Sequence, residues 1–150
     1  MTRLFFRYWL PLLAWTAMIF VASTDSFAAQ HTGSVIQTII AALIGHPLPP
    51  ETFDPLHFVI RKLAHLTEYA ILGALAFRAV RAEECGWSAR WATIATVVAS
   101  LIAAGDEFHQ SFVPSRTPSL VDVAIDTVGA AIAQGIIRWR VRRQPDSAHN

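Results

Sequence analysis

Apolar residues in this chain gather into four blocks, Tyr8 to Ala22, Leu63 to Val80, Trp91 to Ala104 and Leu120 to Ile137. Each approaches the roughly 20 apolar residues that a helix needs to cross a bilayer. The pattern therefore predicts an all-α, polytopic membrane helix bundle with four transmembrane helices, at about 8–24, 60–80, 89–107 and 119–138. A fifth run, Val35 to Ile44, is too short to span and carries Gln37 and Thr38. It predicts a short interfacial or re-entrant helix in the first connection, closed by Gly45 and the Pro47, Pro49, Pro50 cluster; an ordinary packed loop helix is the alternative. Asp54 followed by Pro55 reads as an N-cap with proline at the first helical position, opening a helix that runs to about Arg81. Ser88 is placed to cap the third helix, and Pro114 marks where that helix has ended. The fourth opens at Thr117-Pro118-Ser119 and closes in the Arg138 to Arg143 run. Residues 1–143 are expected to form one transmembrane domain and 144–150 a frayed cytoplasmic tail. The first block also admits a signal-peptide reading, cleaved near Ser26-Phe27-Ala28, although Trp9, Pro11 and Trp15 suit a retained anchor.

Composition sharpens this picture. Hydrophobic residues make up 53% of the chain and charged residues 15%, against about 25% charged in soluble domains. A disordered, collagen-like or coiled-coil chain is excluded. The net charge of +1 offers none of the basic excess that draws a protein to nucleic acid. Cys85 is the sole cysteine, so an internal disulfide and a thiolate zinc cluster are both excluded. With the N-terminus inside and four crossings, nine arginines (Arg3, Arg7, Arg78, Arg81, Arg90, Arg138, Arg140, Arg142, Arg143) face inward, against Arg61, Lys62 and Arg116 outward. That asymmetry predicts an N-in, C-in topology and puts the Val35 to Ile44 helix outside.

Several polar residues stand where an apolar span should not carry them. His57, Arg61, His65 and Glu68 are spaced four, four and three apart, on one helical face, with Lys62 and Tyr69 at its edge. The cations near the interface can simply snorkel to water; a glutamate deeper in the span is harder to explain that way. The third helix ends in Asp106 and Glu107, followed by His109 and Gln110, so two carboxylates sit against the helix dipole. Arg116, Arg61 or Lys62 are the outer cations expected to offset them. On the fourth helix Asp122 suits a first turn, whereas Asp126 one turn later costs about 2.5–3.5 kcal/mol on insertion scales. Gly129 and Ala133 near the same line predict a close helix seam, and an interhelical hydrogen bond is the purely structural explanation for Asp126. By this reading the unusual polar residues belong to the outer half of the bundle.

The series Arg61-Lys62-x-x-His65-x-x-Glu68-Tyr69-x-x-Leu72-Gly73, then Asp106-Glu107-x-x-Gln110-x-x-x-Pro114-x-Arg116-x-x-Ser119-x-x-Asp122-x-x-x-Asp126-x-x-Gly129, resembles the VanZ-like family over roughly residues 6 to 138. That family often has glycine in place of Ser115 and asparagine in place of Asp126. The resemblance implies a small bacterial multi-pass protein of the cytoplasmic (inner) membrane. Some members are associated with reduced susceptibility to teicoplanin and related lipid-bearing glycopeptides, and no settled biochemical activity comes with the resemblance.

Two functions from different classes fit these residues. In the first, an outer polar cleft binds a lipid headgroup, a lipid-linked cell-wall precursor or an amphiphilic glycopeptide. Its expected binding residues are Arg61, Lys62, His65, Glu68, Tyr69, Glu107, Gln110, Arg116, Asp122 and Asp126. Cations would meet phosphate, and carboxylates would position them or meet an amine. In the second, an intramembrane enzyme acts on a lipid-linked, phosphorylated substrate, with His65, Glu68, Asp106, Glu107 and Asp126 as catalytic candidates. A divalent-metal site on His65, Glu68, Asp106, His109 and Asp122 is compatible with the spacing but matches no diagnostic ligand pattern. A bundle merely glued by its polar residues is the fourth reading. Neither metal nor cofactor is expected, and the expected partner is membrane lipid or a lipid-linked precursor rather than nucleic acid.

Overall fold

Each apolar block becomes a helix in the computed structural model, which describes residues 2–24, 29–114 and 118–143. Helix α1 runs Thr2–Ala22, with a π-helical segment at Phe5–Trp9. Helices α2 (Ala29–Ile44), α3 (Pro50–Arg81), α4 (Ala89–Gln110) and α5 (Leu120–Arg143) follow. Four of the five, all but α2, are long and apolar enough to cross a membrane. No strand occurs among the described residues.

Local signals account for most of the helix ends. Gly45, at φ +86°, ends α2 by adopting a backbone that side chains avoid. Ser88 caps α4, its side chain accepting the Trp91 N–H. One start differs from expectation: α3 opens at Pro50 rather than after Asp54, with extended Pro49 as its N-cap. Proline at the first helical position lacks only an N–H that would be unpaired anyway. Pro55 therefore falls inside the helix near its exposed start, where it removes a single intrahelical bond. The 32-residue α3 is about 48 Å long at 1.5 Å per residue, well over the roughly 30 Å hydrocarbon core.

Helices α3, α4 and α5 pack on one another most extensively; α1 lies against α3 and α4, and α2 rests on α3. Small residues make the close packing possible. Ala92, Ala95, Ala99 and Ala103 form one buried stripe of α4. Where α3 meets α5 the backbones nearly touch: a Cβ added to Gly129 would lie 2.4 Å from the Leu66 carbonyl oxygen, and one on Gly73 2.8 Å from Ala130 Cα. In hydrocarbon, where lipid tails are as apolar as leucine, such contact drives helix association through dispersion and interhelical hydrogen bonds. Gln134 donates to the Gly73 carbonyl at 3.0 Å, Thr127 to Ser100 Oγ at 3.0 Å, and Trp15 Nε1 to the Glu68 carbonyl at 3.0 Å. Large apolar side chains such as Leu101, Phe108 and Leu120 point outward, 68–88% exposed. In the apolar window of each spanning helix, no more than 33% is buried inside the protein. Lipid is the solvent that such an outer surface requires.

Candidate functional site

The four- and three-residue spacing of Arg61, His65 and Glu68 aligns them on the face of α3 turned toward α1, α2 and the end of α4. There they line a cavity of about 220 Å³ with Asp106 and Gln110 of α4, Ser23 of α1 and Thr32 of α2. The remaining walls are apolar, among them Ile19, Ile36 and Ile60. Gln110 ties the rim together: its amide donates to Asp106 Oδ2 at 2.9 Å and to Ser23 Oγ at 3.4 Å. His57, on the same stripe, does not join this cleft. Its ring stacks on Phe53 at 5.4 Å and lines a separate cavity between α2 and the start of α3.

Behind the cleft lies a second polar layer with almost no access to solvent. Asp126 is 1% exposed, and its Oδ1 stands 3.4 Å from His65 Nδ1. Tyr69 is fully buried and within electrostatic reach of Asp106, Asp126, Glu68 and Glu107. Among the described residues the Tyr69 hydroxyl, Asp126 Oδ2 and one oxygen each of Asp106 and Glu107 have no hydrogen-bond partner, and His65 Nδ1 and Asp126 Oδ1 have only each other. Buried polar atoms are almost always paired, since leaving one unpaired costs about 1–3 kcal/mol and more for a charge. Asp126 of α5 thus faces His65 of α3, the kind of interhelical polar contact that the sequence allowed.

Other expected residues have specific partners. Lys62, expected at the interface facing the cleft or offsetting the carboxylates of α4, instead donates to Asp122 across the α3–α5 seam. Glu107, expected to meet a cation, accepts the backbone N–H of Ser119 at 2.7 Å. It turns toward a groove between α4 and α5 rather than into the cleft. The N-terminal end of α5, whose N–H groups carry partial positive charge, thus lies against this carboxylate. Arg116, its other expected partner, lies outside the described residues, as do Thr117 and the Ser26-Phe27-Ala28 segment.

Structure thus divides the expected residues into three sets: Arg61, His65, Glu68, Asp106 and Gln110 around the cleft, Tyr69 and Asp126 behind it, and Lys62, Asp122 and Glu107 in helix-joining contacts. Ser23 and Thr32 were not foreseen; small hydroxyl residues at the edge of an apolar run carry no signal of their own. No group of three or more His, Cys, Asp or Glu side chains able to hold a metal ion occurs among the described residues, so the divalent-metal reading gains no ligand set. Chemically, the cleft offers a guanidinium, an imidazole, an amide and two carboxylates beside apolar walls, a combination suited to the polar end of an amphiphile.

No curated protein and no solved structure matches the chain. A family model does, that of VanZ/LLP1, over residues 8–141. It takes in most or all of each of the four apolar helices and every residue of the cleft, and the chain is accordingly a multi-pass membrane protein that belongs to the VanZ/LLP1 family.

Proposed function

We propose that the cleft binds the phosphate-bearing headgroup of a membrane lipid or lipid-linked cell-wall precursor at the outer face of the bacterial cytoplasmic membrane. The observation that carries this reading is the convergence of Arg61, His65 and Gln110 on one cavity with apolar walls. A guanidinium fork recognises phosphate oxygens bidentately, while Ile19, Ile36 and Ile60 offer an apolar path for the attached chain. Glu68 and Asp106 orient the cations and present acceptors to hydroxyl or amine groups. A lipid-bearing glycopeptide, with its amine and acyl chain, would compete for the same space. The orientation follows the arginine asymmetry: both termini inside and the cleft outside. Helix α2 then lies along the outer interface as one wall of the cleft, its Val35, Ile39 and Leu43 side chains, 55–80% exposed, turned to lipid.

A second reading is favoured by one contact. His65 lines the cavity and has buried Asp126 behind its Nδ1, at 3.4 Å. A carboxylate so placed holds the imidazole in position to act as a general base toward a bound phosphorylated substrate.

Retention of a radiolabelled polyprenyl phosphate by the purified protein tests both. A charge-assisted hydrogen bond contributes about 1.5–3 kcal/mol, so Arg61→Gln is expected to weaken binding tenfold or more, with Arg90→Gln as an unaffected control. Equal retention by wild type and Arg61→Gln would overturn the binding reading. Release of inorganic phosphate, abolished in His65→Gln, would favour the enzyme; binding without release would favour the receptor.

A further inference from the structure

At the arginine-rich end of the bundle, roughly 20 Å along α3 from His65 at 1.5 Å per residue, two guanidinium groups share one aromatic ring. The Arg7 guanidinium carbon lies 5.3 Å from the Tyr8 ring centroid and that of Arg78 5.7 Å. Tyr8 itself is 7% exposed, so the ring is a fixed platform rather than a mobile side chain. Arg78 is held in place by donating from Nη2 to the Arg7 carbonyl at 3.0 Å. The π-helical segment Phe5–Trp9 contains both Arg7 and Tyr8, and such interruptions of α-helix are frequent at functional sites.

Neither guanidinium takes part in an ion pair among the described residues. Two like charges are therefore held within about 11 Å of each other against one ring, an arrangement whose repulsion an anion beside them would relieve. Beside them Phe5, Phe6 and Trp9 are 44–56% exposed, forming the kind of aromatic belt that sits at headgroup level. A charged pair alone would fit any anion. The flanking aromatic surface adds a place for glycerol and acyl carbons, which selects a lipid over a free ion.

We infer that Arg7 and Arg78, held around Tyr8, form a binding site for the phosphodiester of an anionic glycerophospholipid in the monolayer facing this end of the bundle. The site is separate from the cleft, and Arg7 lies just outside the residues that the family model matches.

Native mass spectrometry of the full chain in detergent tests it, with phosphatidylglycerol and phosphatidylcholine as probes. Wild type is expected to retain one phosphatidylglycerol at least tenfold more strongly than phosphatidylcholine, and millimolar inorganic phosphate should not displace it. Arg7→Gln with Arg78→Gln should abolish this preference. Arg140→Gln with Arg142→Gln, which removes the same charge from two exposed residues, should leave it intact. Equal loss in both double variants would reduce the effect to bulk charge and overturn the site, as would displacement by inorganic phosphate or no preference in wild type. If the first double variant fails to fold, Arg7→Lys decides: it keeps the charge but loses the planar fork, and an undiminished preference would contradict the proposal.

Discussion

Replacing Gly129 by alanine perturbs the seam on which the polar layer is built. The new Cβ would stand 2.4 Å from the Leu66 carbonyl oxygen, where ordinary contact begins at 3.4 Å. The obstacle is backbone, so no side chain can swing aside. Helix α5 must retreat from α3 by about 1 Å, and a gap of that size forfeits a quarter to a half of each dispersion contact. Overpacking of this kind costs about 1–3 kcal/mol, and a clash with backbone belongs in the upper part of that range. Alanine regains up to about 1 kcal/mol in helix propensity, which leaves a net loss of about 1–2 kcal/mol. Gly135 on the same helix supplies the control, because a Cβ there would meet nothing within 4 Å. Gly135→Ala should therefore be neutral or stabilising by up to about 1 kcal/mol. Thermal unfolding of both variants in one detergent reads the difference, and their melting temperatures should move to opposite sides of wild type or leave only Gly135→Ala unchanged. Melting temperatures that move together would refute the claim that Gly129 sets the approach of α3 and α5. Because Leu66 follows His65 and Gly129 is one turn from Asp126, Gly129→Ala should also weaken whatever the His65–Asp126 contact supports.

Lys62→Met and Asp122→Asn should each destabilise by about 1–3 kcal/mol, since each leaves a partly buried charge without its partner, and the double variant should cost less than the sum; strict additivity in detergent melting would dismiss the pair. Glu107→Gln keeps an acceptor for the Ser119 N–H and should cost less than Glu107→Ala, by about 1 kcal/mol; equal melting curves would mean that this bond does not anchor the start of α5. Exposed Cys85, in the turn between α3 and α4, should resist a membrane-impermeant maleimide in intact cells and react once the membrane is opened. Labelling of intact cells would reverse the proposed orientation and move the cleft to the inner face.

The four spanning helices were legible because length and hydropathy alone decide what crosses a bilayer, and the seam because glycine at 129 and alanine at 133 permit backbone approach. The cleft was half legible. Helical spacing aligned Arg61, His65 and Glu68, and put Asp106 one turn from Gln110. It could not separate His57, whose fate depends on Phe53 one turn earlier in a helix that starts sooner than Asp54-Pro55 suggested. Nor could it identify the partner of Glu107, because a backbone N–H has no sequence signature. Lys62 illustrates a third limit. A lysine near a helix end suits snorkelling so well that its pairing with Asp122, 60 residues away, is visible only once α3 and α5 are side by side. Gln134 passed unnoticed for the same reason: its amide serves the Gly73 carbonyl, exposed to it only where that glycine bares the α3 backbone.

The central claim is that a phosphate-bearing amphiphile occupies the cleft among Arg61, His65 and Gln110 in the membrane. Photocrosslinking in native membranes tests it most directly, with benzoylphenylalanine at Ile36, on the cleft wall, and in parallel at Leu101, 68% exposed on the outside of α4. The account predicts adducts at position 36 enriched in one class of phosphorylated lipid relative to bulk and lost in Arg61→Gln, while adducts at position 101 mirror the bulk composition. Identical adducts at the two positions, unchanged by Arg61→Gln, would contradict it.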